Sequence, residues 1–254
     1  MTPDALVITP LEGIPMVEEG DDLGDFILSA LARKPMVLEN GDIIVLAQKI
    51  VSKSEGRLID LKRVKPGARA TELAEKVNRD PRLVELILQE SNEVLRARKD
   101  LLIVEHRLGF VCANAGIDHS NVEGGEDFVL LLPENPDASA QAIRRRLEET
   151  SGQRLGVLII DSHGRAWREG VVGVAIGLSG MPGLVDERGR DDLFGRQLRA
   201  TLVGAADELA AAASAVMGQA AEGIPAVHIR GFQYPLRDGS LNELLRPKER
   251  DEFR

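Results

Sequence analysis

Two aspartates that lie far apart in the chain have similar surroundings. Asp118 stands in NAGIDHSN, residues 114–121, after an apolar run and before a glycine pair. Asp161 stands in IIDSHGR, residues 159–165, where a second apolar run ends in a carboxylate. Carboxylates and carboxamides at strand ends bind cations and polar ligands, although tight turns use the same residue types. The recurrence of the pattern predicts that both aspartates share one divalent ion.

Oxygen donors dominate the side chains that could complete a metal site. The Ser162 hydroxyl and the Gln219 carbonyl, added to the two carboxylates, suit Mg²⁺ or Mn²⁺. The histidines and Cys112 do not have the spacing of zinc ligands. Because Mg²⁺ in proteins usually accompanies phosphates, a phosphate-bearing substrate is expected. The four histidines are expected at surface or loop positions: His106, His119, His163 and His228.

Asp161, Ser162 and His163 are the residue types of a hydrolase triad. Neighbours along a strand end point in different directions, so these three side chains cannot form a Ser-His-Asp relay. The hydrolase-triad interpretation is therefore rejected.

Two lysines and a glutamine follow an apolar run. Residues 43–47, IIVLA, have the length and β-branching of a buried strand, and Gln48, Lys49 and Lys53 come after it. Lysines four residues apart beyond a strand are a candidate phosphate contact. A pair of exposed lysines is the alternative, and the spacing alone favours it. Neither GxxxxGK[ST] nor GxGxxG occurs, so no phosphate-binding loop or dinucleotide fingerprint is predicted.

Length and composition restrict the class of protein. The 254 residues suffice for one large domain or two small ones, and 43% hydrophobic and 29% charged residues describe an ordinary soluble chain. A net charge of −9 with only 3% aromatic residues argues against nucleic-acid binding. Cys112 is alone, which excludes an internal disulfide, and its apolar neighbours predict a buried thiol. Residues 1–4 do not resemble a signal peptide and no apolar stretch approaches membrane-spanning length, so no membrane association and a cytoplasmic location are expected.

Helical and strand patterns alternate, which predicts an α+β (mixed α/β) fold. The chain is expected to be one unit over residues 1–254, with a subdomain division near residues 133–136, PENP. Glycines at 170, 173, 177, 180 and 183 permit either close backbone approach or left-handed turns. Strands are expected at residues 5–9, 43–47, 101–104, 110–113, 128–132, 155–160 and 226–229. Helices are expected from a cap at Asp21 or Asp22 to about residue 33, and at 70–78, 81–98, 139–150 and 205–221.

An ordered set of motifs resembles the coenzyme F420 gamma-glutamyl ligases. The motifs are LEGIP at 11–15, QKIVSKSEGR at 48–57, the two aspartate segments, GVVG at 170–173 and MGQ at 217–219. They occur in the family order over residues 8–231. No single motif is decisive, but the ordered set is specific.

The resemblance implies an activity and an assembly. Members of this family use GTP to convert the terminal carboxylate of a deazaflavin precursor of coenzyme F420 into an acyl phosphate. The amine of L-glutamate then displaces phosphate to form an amide, and further glutamates are added through gamma linkages. Mg²⁺ or Mn²⁺ and K⁺ are used in the family. The implied assembly is a two-subdomain monomer in an intertwined homodimer.

Motif matching also implies roles for individual residues. Asp118 and Asp161 would hold one divalent ion and, with Lys53, carry the catalysis. Ser162 and Gln219 would hold a second ion, although Gln219 is neutral where a carboxylate would bind more strongly, and Ser162 stands where threonine is common. The residues expected to bind the nucleotide are Glu12, Gly13, Ile14, Pro15, Gln48, Lys49, Lys53, Asn121, Met217, Gly218, Gln219, Ala220, Ala221, Glu222, Gly223 and Ile224.

Two other functions fit the same residues. A metal-dependent phosphohydrolase would use the ions at Asp118 and Asp161 on a phosphate ester and would release phosphate without glutamate. A nucleotide-binding module without turnover would be stabilised by GTP and would catalyse nothing.

Overall fold

The computed structural model describes residues 5–252, so the prediction about residues 1–4 lies outside the described part. Its α-helices are α1 (Leu23–Arg33), α2 (Gln48–Ser54), α3 (Ala68–Val77), α4 (Pro81–Gln89), α5 (Pro136–Ser151) and α6 (Ala205–Met217). Its strands are β1 (Val7–Pro10), β2 (Ile43–Ala47), β3 (Leu58–Asp60), β4 (Ser91–Arg98), β5 (Leu101–His106), β6 (Val111–Ala113), β7 (Phe128–Leu130), β8 (Gly156–Arg165), β9 (Arg168–Ser179), β10 (Val185–Asp186), β11 (Leu202–Val203) and β12 (Ala226–Arg230). The predicted mixed α and β character is confirmed.

A five-stranded sheet in the order β1-β12-β2-β8-β9 forms the centre of the molecule. Strands β2 and β8 are parallel, with Ala47 opposite Ile160, and the other neighbouring pairs are antiparallel. This register brings the chain that leaves β2 beside Asp161 of β8. Residues 48–53, which carry the two lysines, and the Asp161 segment therefore meet where β2 ends beside β8.

Helices cover both faces of this sheet. Ile44 and Leu46 of β2 pack in one core cluster with α1 and α5, whereas Ile43 and Val45 pack in a second cluster with α6. A strand with both faces covered is apolar throughout rather than alternating, which explains the run IIVLA. The strand predicted at residues 43–47 is confirmed.

A third core cluster draws on residues between Leu61 and Leu131. It joins α3 and α4 to the antiparallel sheet β4-β5-β6, beside the pair β3 and β7. The Asp118 segment leaves β6 within this part of the chain. The predicted division near residues 133–136 stays a prediction.

The helix predicted over residues 81–98 is wrong in its second half. Helix α4 ends at Gln89, and Ser91–Arg98 is strand β4, paired with β5 through two register shifts. Pairing with a distant strand outweighs local helical preference here. Glu90 is the C-cap residue of α4 and is buried among cationic side chains.

Three further differences affect the site. The chain beyond β2 forms the unpredicted helix α2, which places Lys49 and Lys53 on one helical face. Strand β8 continues five residues beyond its predicted end because β9 pairs with it as far as Arg165. Helix α6 stops at Met217, since Gly218 has φ +77° and a Cβ there would lie 2.2 Å from the Glu222 side chain.

The glycines of β9 and Gly180, which follows it, serve both purposes left open by the sequence. A Cβ at Gly173 would lie 2.5 Å from the carbonyl oxygen of Ala210, so this glycine permits close packing of β9 on α6. Gly170 and Gly180 have φ values of +80° and +75°, which suit left-handed turns. Both alternatives therefore occur within one segment.

Two histidines contradict the expected surface positions. His106 is buried near Glu90, at 3.6 Å, and His228 is buried with its Nε2 2.8 Å from Asp42 Oδ2. The buried thiol predicted at Cys112 is confirmed, and burial raises its pKa to about 12. Among residues 5–252, no helix is both long enough and apolar enough to cross a membrane.

Candidate functional site

A cleft of about 560 Å³ opens at the sheet edge where Ala47 ends β2 and Asp161 lies in β8. Its walls come from distant parts of the chain, including α2 and the loop after α6. Sixteen of the predicted site residues line it: Ile14, Pro15, Gln48, Lys49, Lys53, Asn121, Asp161, Ser162, Met217, Gly218, Gln219, Ala220, Ala221, Glu222, Gly223 and Ile224.

Glu12 and Gly13 are the predicted nucleotide residues that the described lining does not include. Glu12 is exposed and pairs with Lys34 at 3.3 Å. The carbonyl oxygen of Gly13 accepts a hydrogen bond from the Arg33 guanidinium. Both residues are tied to the end of α1, and their predicted contact with a nucleotide stays a prediction.

Asp118 is not among the residues that line the cleft, but its carboxylate contacts two residues of α2 that are. The Gln48 side-chain amide donates to Asp118 Oδ2 at 2.8 Å, and the Lys49 ammonium forms an ion pair with the same oxygen. Ser52 donates to Gln48 Oε1 at 2.8 Å, which fixes the orientation of the amide. The backbone of Asp118 pairs with Leu130 in both directions. The carboxylate is therefore held from two sides.

The turn that leads into Asp118 has an unusual backbone. Asn114 and Ala115 have φ values of 52° and 54°, a left-handed conformation that asparagine tolerates but that is costly for alanine. Ala115 is completely buried. Strain of this kind concentrates at functional sites, where surrounding structure enforces it. The conformation supports a functional rather than a purely connecting role for residues 114–121.

Alternation along β8 separates the three polar side chains that follow Ile160. His163 Nε2 lies 3.0 Å from Asp161 Oδ2, so these residues share one face of the strand. Ser162 points the other way and donates to Gln219 Oε1 at 2.8 Å. The predicted divergence of these side chains is therefore wrong for Asp161 and His163, which lie two residues apart, although Ser162 is separated from both.

The surroundings of Asp118 disfavour its negative charge. Burial raises the pKa of the Asp118 carboxyl above its ordinary value; the Lys49 ammonium opposes this shift, and the negative charge of Asp161 adds to it. A cation between the two aspartates would relieve both the burial and the repulsion.

Polar contacts also join opposite walls of the cleft. The Asn121 side-chain amide donates to the carbonyl oxygen of Ala220 at 3.0 Å, across 99 positions in sequence. Gln219 donates through Nε2 to Ser214 Oγ at 2.7 Å, which directs its carbonyl oxygen towards Ser162. The Asp118 segment and the loop after α6 therefore meet over the cleft.

The donor set fits a hard divalent cation. Asp118, Asp161, Ser162 and Gln219 offer oxygen atoms, and the last two hold their oxygens 2.8 Å apart. Within residues 5–252, no three side chains of the His, Cys, Asp and Glu types converge as a ligand set. Mg²⁺ in proteins is usually bound by one or two carboxylates together with substrate phosphates.

His163 and Ser214 are site residues that sequence reasoning missed. Ser214 lines the cleft from α6 and accepts the hydrogen bond from Gln219. His163 was treated as an isolated loop histidine. The two-residue period of a strand could have paired it with Asp161 had the predicted strand continued past residue 160.

Comparison with known proteins identifies the family. The model of the F420-0:Gamma-glutamyl ligase family matches residues 13–231. The chain is 52% identical over 246 residues to the coenzyme F420:L-glutamate ligase of Methanothermobacter thermautotrophicus, covering 96% of this chain and 97% of that protein. The proteins of the same name from Methanocaldococcus jannaschii and Archaeoglobus fulgidus are 46% and 44% identical, covering 95% and 97% of this chain and 94% and 96% of theirs.

The fold and the cleft define a protein with an oxygen-rich site at a sheet edge, and the comparisons give its class. The chain belongs to the F420-0:gamma-glutamyl ligase family. The resemblance noted in the motifs is thereby confirmed, as is the prediction of an amide-bond-forming ligase.

Proposed function

We propose that this protein is a GTP-dependent ligase that joins L-glutamate to the terminal carboxylate of the deazaflavin precursor of coenzyme F420. The names of its relatives support the glutamate and the F420 substrate. The reaction releases GDP and phosphate, and repeated cycles extend a gamma-linked glutamyl tail.

One observation carries the proposal. A single cleft collects two lysines of α2, Asp161 of β8 and the polar loop after α6, and Asp118 is bonded to the α2 wall. Lysine ammonium groups and carboxylates in one cleft suit a bound nucleoside triphosphate with its divalent ion. Phosphoryl transfer depends mainly on alignment and charge neutralisation, which such a cleft supplies.

The reaction proceeds in two steps. An oxygen of the precursor carboxylate attacks the γ-phosphorus of GTP and the bond to the β-phosphate oxygen breaks, which gives an acyl phosphate and GDP. The glutamate amine then attacks the acyl carbon, phosphate leaves, and the amine loses a proton. Lys49 and Lys53 bind phosphate oxygens and stabilise the transferred charge.

The proposal assigns each divalent ion to a pair of residues. Asp118 and Asp161 would hold one Mg²⁺ or Mn²⁺, and Ser162 with Gln219 a second. When bound, the divalent ion neutralises charge on the phosphates and aligns them. K⁺ belongs to the same proposal, and omission of each ion tests its requirement.

Release of GDP separates this proposal from its alternatives. A ligase releases GDP over repeated turnovers only when both the precursor and glutamate are present, with one GDP for each glutamyl unit added. A metal-dependent phosphohydrolase using Asp118 and Asp161 would release phosphate without glutamate. A nucleotide-binding module would bind GTP, as seen by thermal stabilisation, and release nothing. Either of the last two results contradicts the proposal.

Lys53→Ala is expected to raise the KM for GTP about ten- to hundredfold, because a hydrogen bond to a charged group contributes about 1.5–3 kcal/mol. Lys53 is partly exposed on α2 and lines the cleft. Steady-state kinetics with GTP as the varied substrate measure the effect. Lys65→Ala, an exposed lysine outside the cleft, is the matched control. Unchanged KM and kcat in Lys53→Ala would remove Lys53 from the nucleotide site.

The proposal includes an intertwined homodimer of two-subdomain chains that divide near residues 133–136. The separate core cluster between Leu61 and Leu131 supports the subdomains. The arm between β10 and β11 supports the dimer, because Leu193 and Phe194 are 99% and 85% exposed. Contiguous exposed apolar surface marks interaction sites, and these two side chains are adjacent in the chain.

Leu193→Asp combined with Phe194→Asp is expected to convert the dimer to monomer, because it places two charges in the apolar contact. Sedimentation velocity at micromolar concentration measures this, and the parent chain should sediment at twice the mass of the variant. A parent chain that sediments as a monomer would contradict the dimer.

A further inference from the structure

His163 lies beside Asp161 in a sheltered position. The two side chains are only 11% and 12% exposed, and His163 Nε2 is 3.0 Å from Asp161 Oδ2. An ionised carboxylate only accepts hydrogen bonds, so the imidazole N–H donates. The bond engages one of the two carboxylate oxygens and fixes the rotation of the carboxylate about its side-chain bond.

The His163 ring is itself held by a neighbouring aromatic side chain. The Phe110 ring lies 5.3 Å from it at a 50° tilt, and His106 stacks on Phe110 at 5.1 Å and 4°. His106 is fixed by the Leu108 N–H, which donates to its Nδ1 at 3.0 Å, and it lies 3.6 Å from Glu90. A continuous series of contacts therefore runs from the end of α4 to Asp161.

We infer that His163 is a positioning residue that sets the orientation of Asp161 for a divalent cation. The inference rests on the metal site of the proposed function and adds a residue that none of the family motifs assigned. Partners that orient metal ligands are worth about 10–100-fold in metal affinity. The hairpin of β5 and β6, which carries Phe110 next to β6, is thereby linked to the geometry of the metal ligand.

Binding of Mn²⁺ tests the inference without turnover. Free Mn²⁺ is measured by electron paramagnetic resonance with and without GDP. His163→Phe keeps a ring against Phe110 but has no donor, and we expect its Kd for Mn²⁺ to rise about 10–100-fold. His163→Gln retains an N–H donor and should bind Mn²⁺ more tightly than His163→Phe. Arg165→Ala, two residues further along the same strand face, should bind like the parent chain.

The outcomes distinguish this inference from the function on which it rests. Equal Mn²⁺ affinity in His163→Phe and the parent chain would overturn the inference and leave the metal site intact. Equal losses in the Phe and Gln variants would also overturn it, since the donor would then be irrelevant. A parent chain that binds no Mn²⁺ even with GDP would contradict the proposed metal site itself. If His163→Phe does not fold, as judged by circular dichroism, His163→Ala takes its place in the comparison.

Discussion

Asp118→Asn is expected to lower kcat by about 10³-fold or more, because in the proposed function Asp118 supplies one of the two charges that hold the divalent ion and align the phosphates. The neutral amide occupies nearly the same volume and can still accept from Gln48, which donates to Asp118 at 2.8 Å. The substitution should therefore slow the reaction without disturbing the local structure. Single-turnover measurement of GDP formation in the presence of precursor and glutamate gives the rate.

The Asp118→Asn variant should lose activity without losing thermal stability. Burial raises the pKa of Asp118, so the folded state holds its proton more tightly than the unfolded state does. The stabilisation from this group is present at low pH and is lost as the pH rises through its folded-state pKa. At neutral pH the charged carboxylate is a cost, so the melting temperature of the Asp118→Asn variant should equal or exceed that of the parent chain.

The control for Asp118→Asn is Asp25→Asn, which removes a surface aspartate on α1 that pairs with Arg146 and is 53% exposed. It should retain full activity, since exposed ion pairs contribute little. Near-normal turnover in Asp118→Asn would contradict the metal assignment.

Glu90→Gln is expected to lower the free energy of unfolding by about 3 kcal/mol or more, the usual cost of leaving buried charges without their partner. Glu90 Oε2 lies 2.9 Å from Arg57 Nη2 and 2.9 Å from Arg107 Nε, and its side chain is 11% exposed. Loss of its charge leaves two partly buried guanidinium groups uncompensated. Urea denaturation at pH 7 measures the difference.

The pH dependence of this difference follows from the pKa of Glu90. Burial raises this pKa, but the close contacts of Glu90 with His106, Arg107 and Arg57 outweigh that effect and hold it at about 2. A lowered folded-state pKa contributes stability that is present above the unfolded value and is lost as the pH falls. The gap between the parent chain and Glu90→Gln should therefore shrink between about pH 4.5 and pH 2.

Glu75→Gln, at an exposed position of α3, is the matched control and should change stability by less than about 0.5 kcal/mol. A gap between the parent chain and Glu90→Gln that stays constant down to pH 2 would show that the charge of Glu90 does not stabilise the fold.

Local patterns in the sequence predicted the elements whose stability is decided locally or by burial on both faces. Asp22 caps α1 by accepting from the Asp25 N–H, and IIVLA forms β2 at the predicted residues. Strand β4 was mistaken for helix and β8 was ended early, because their partners β5 and β9 are separate segments whose pairing local propensity does not report.

The candidate site was also predictable only where local patterns in the sequence determine it. Two aspartates after apolar runs predicted a shared location, and the parallel register of β2 and β8 brings α2, with its bond to Asp118, next to Asp161. The proposed role of His163 depends on the extension of β8 and on Phe110, which lies in the connection between β5 and β6. Such a contact between sheets leaves no periodic signal in the chain.

A mass spectrum of the deazaflavin precursor after incubation with the protein, GTP, Mg²⁺ and L-glutamate tests the central claim most directly. Each component is omitted in turn as a control. The proposed function predicts a product heavier by one or more glutamyl units that forms only when both GTP and glutamate are present. Formation of GDP and phosphate with the precursor mass unchanged would contradict it.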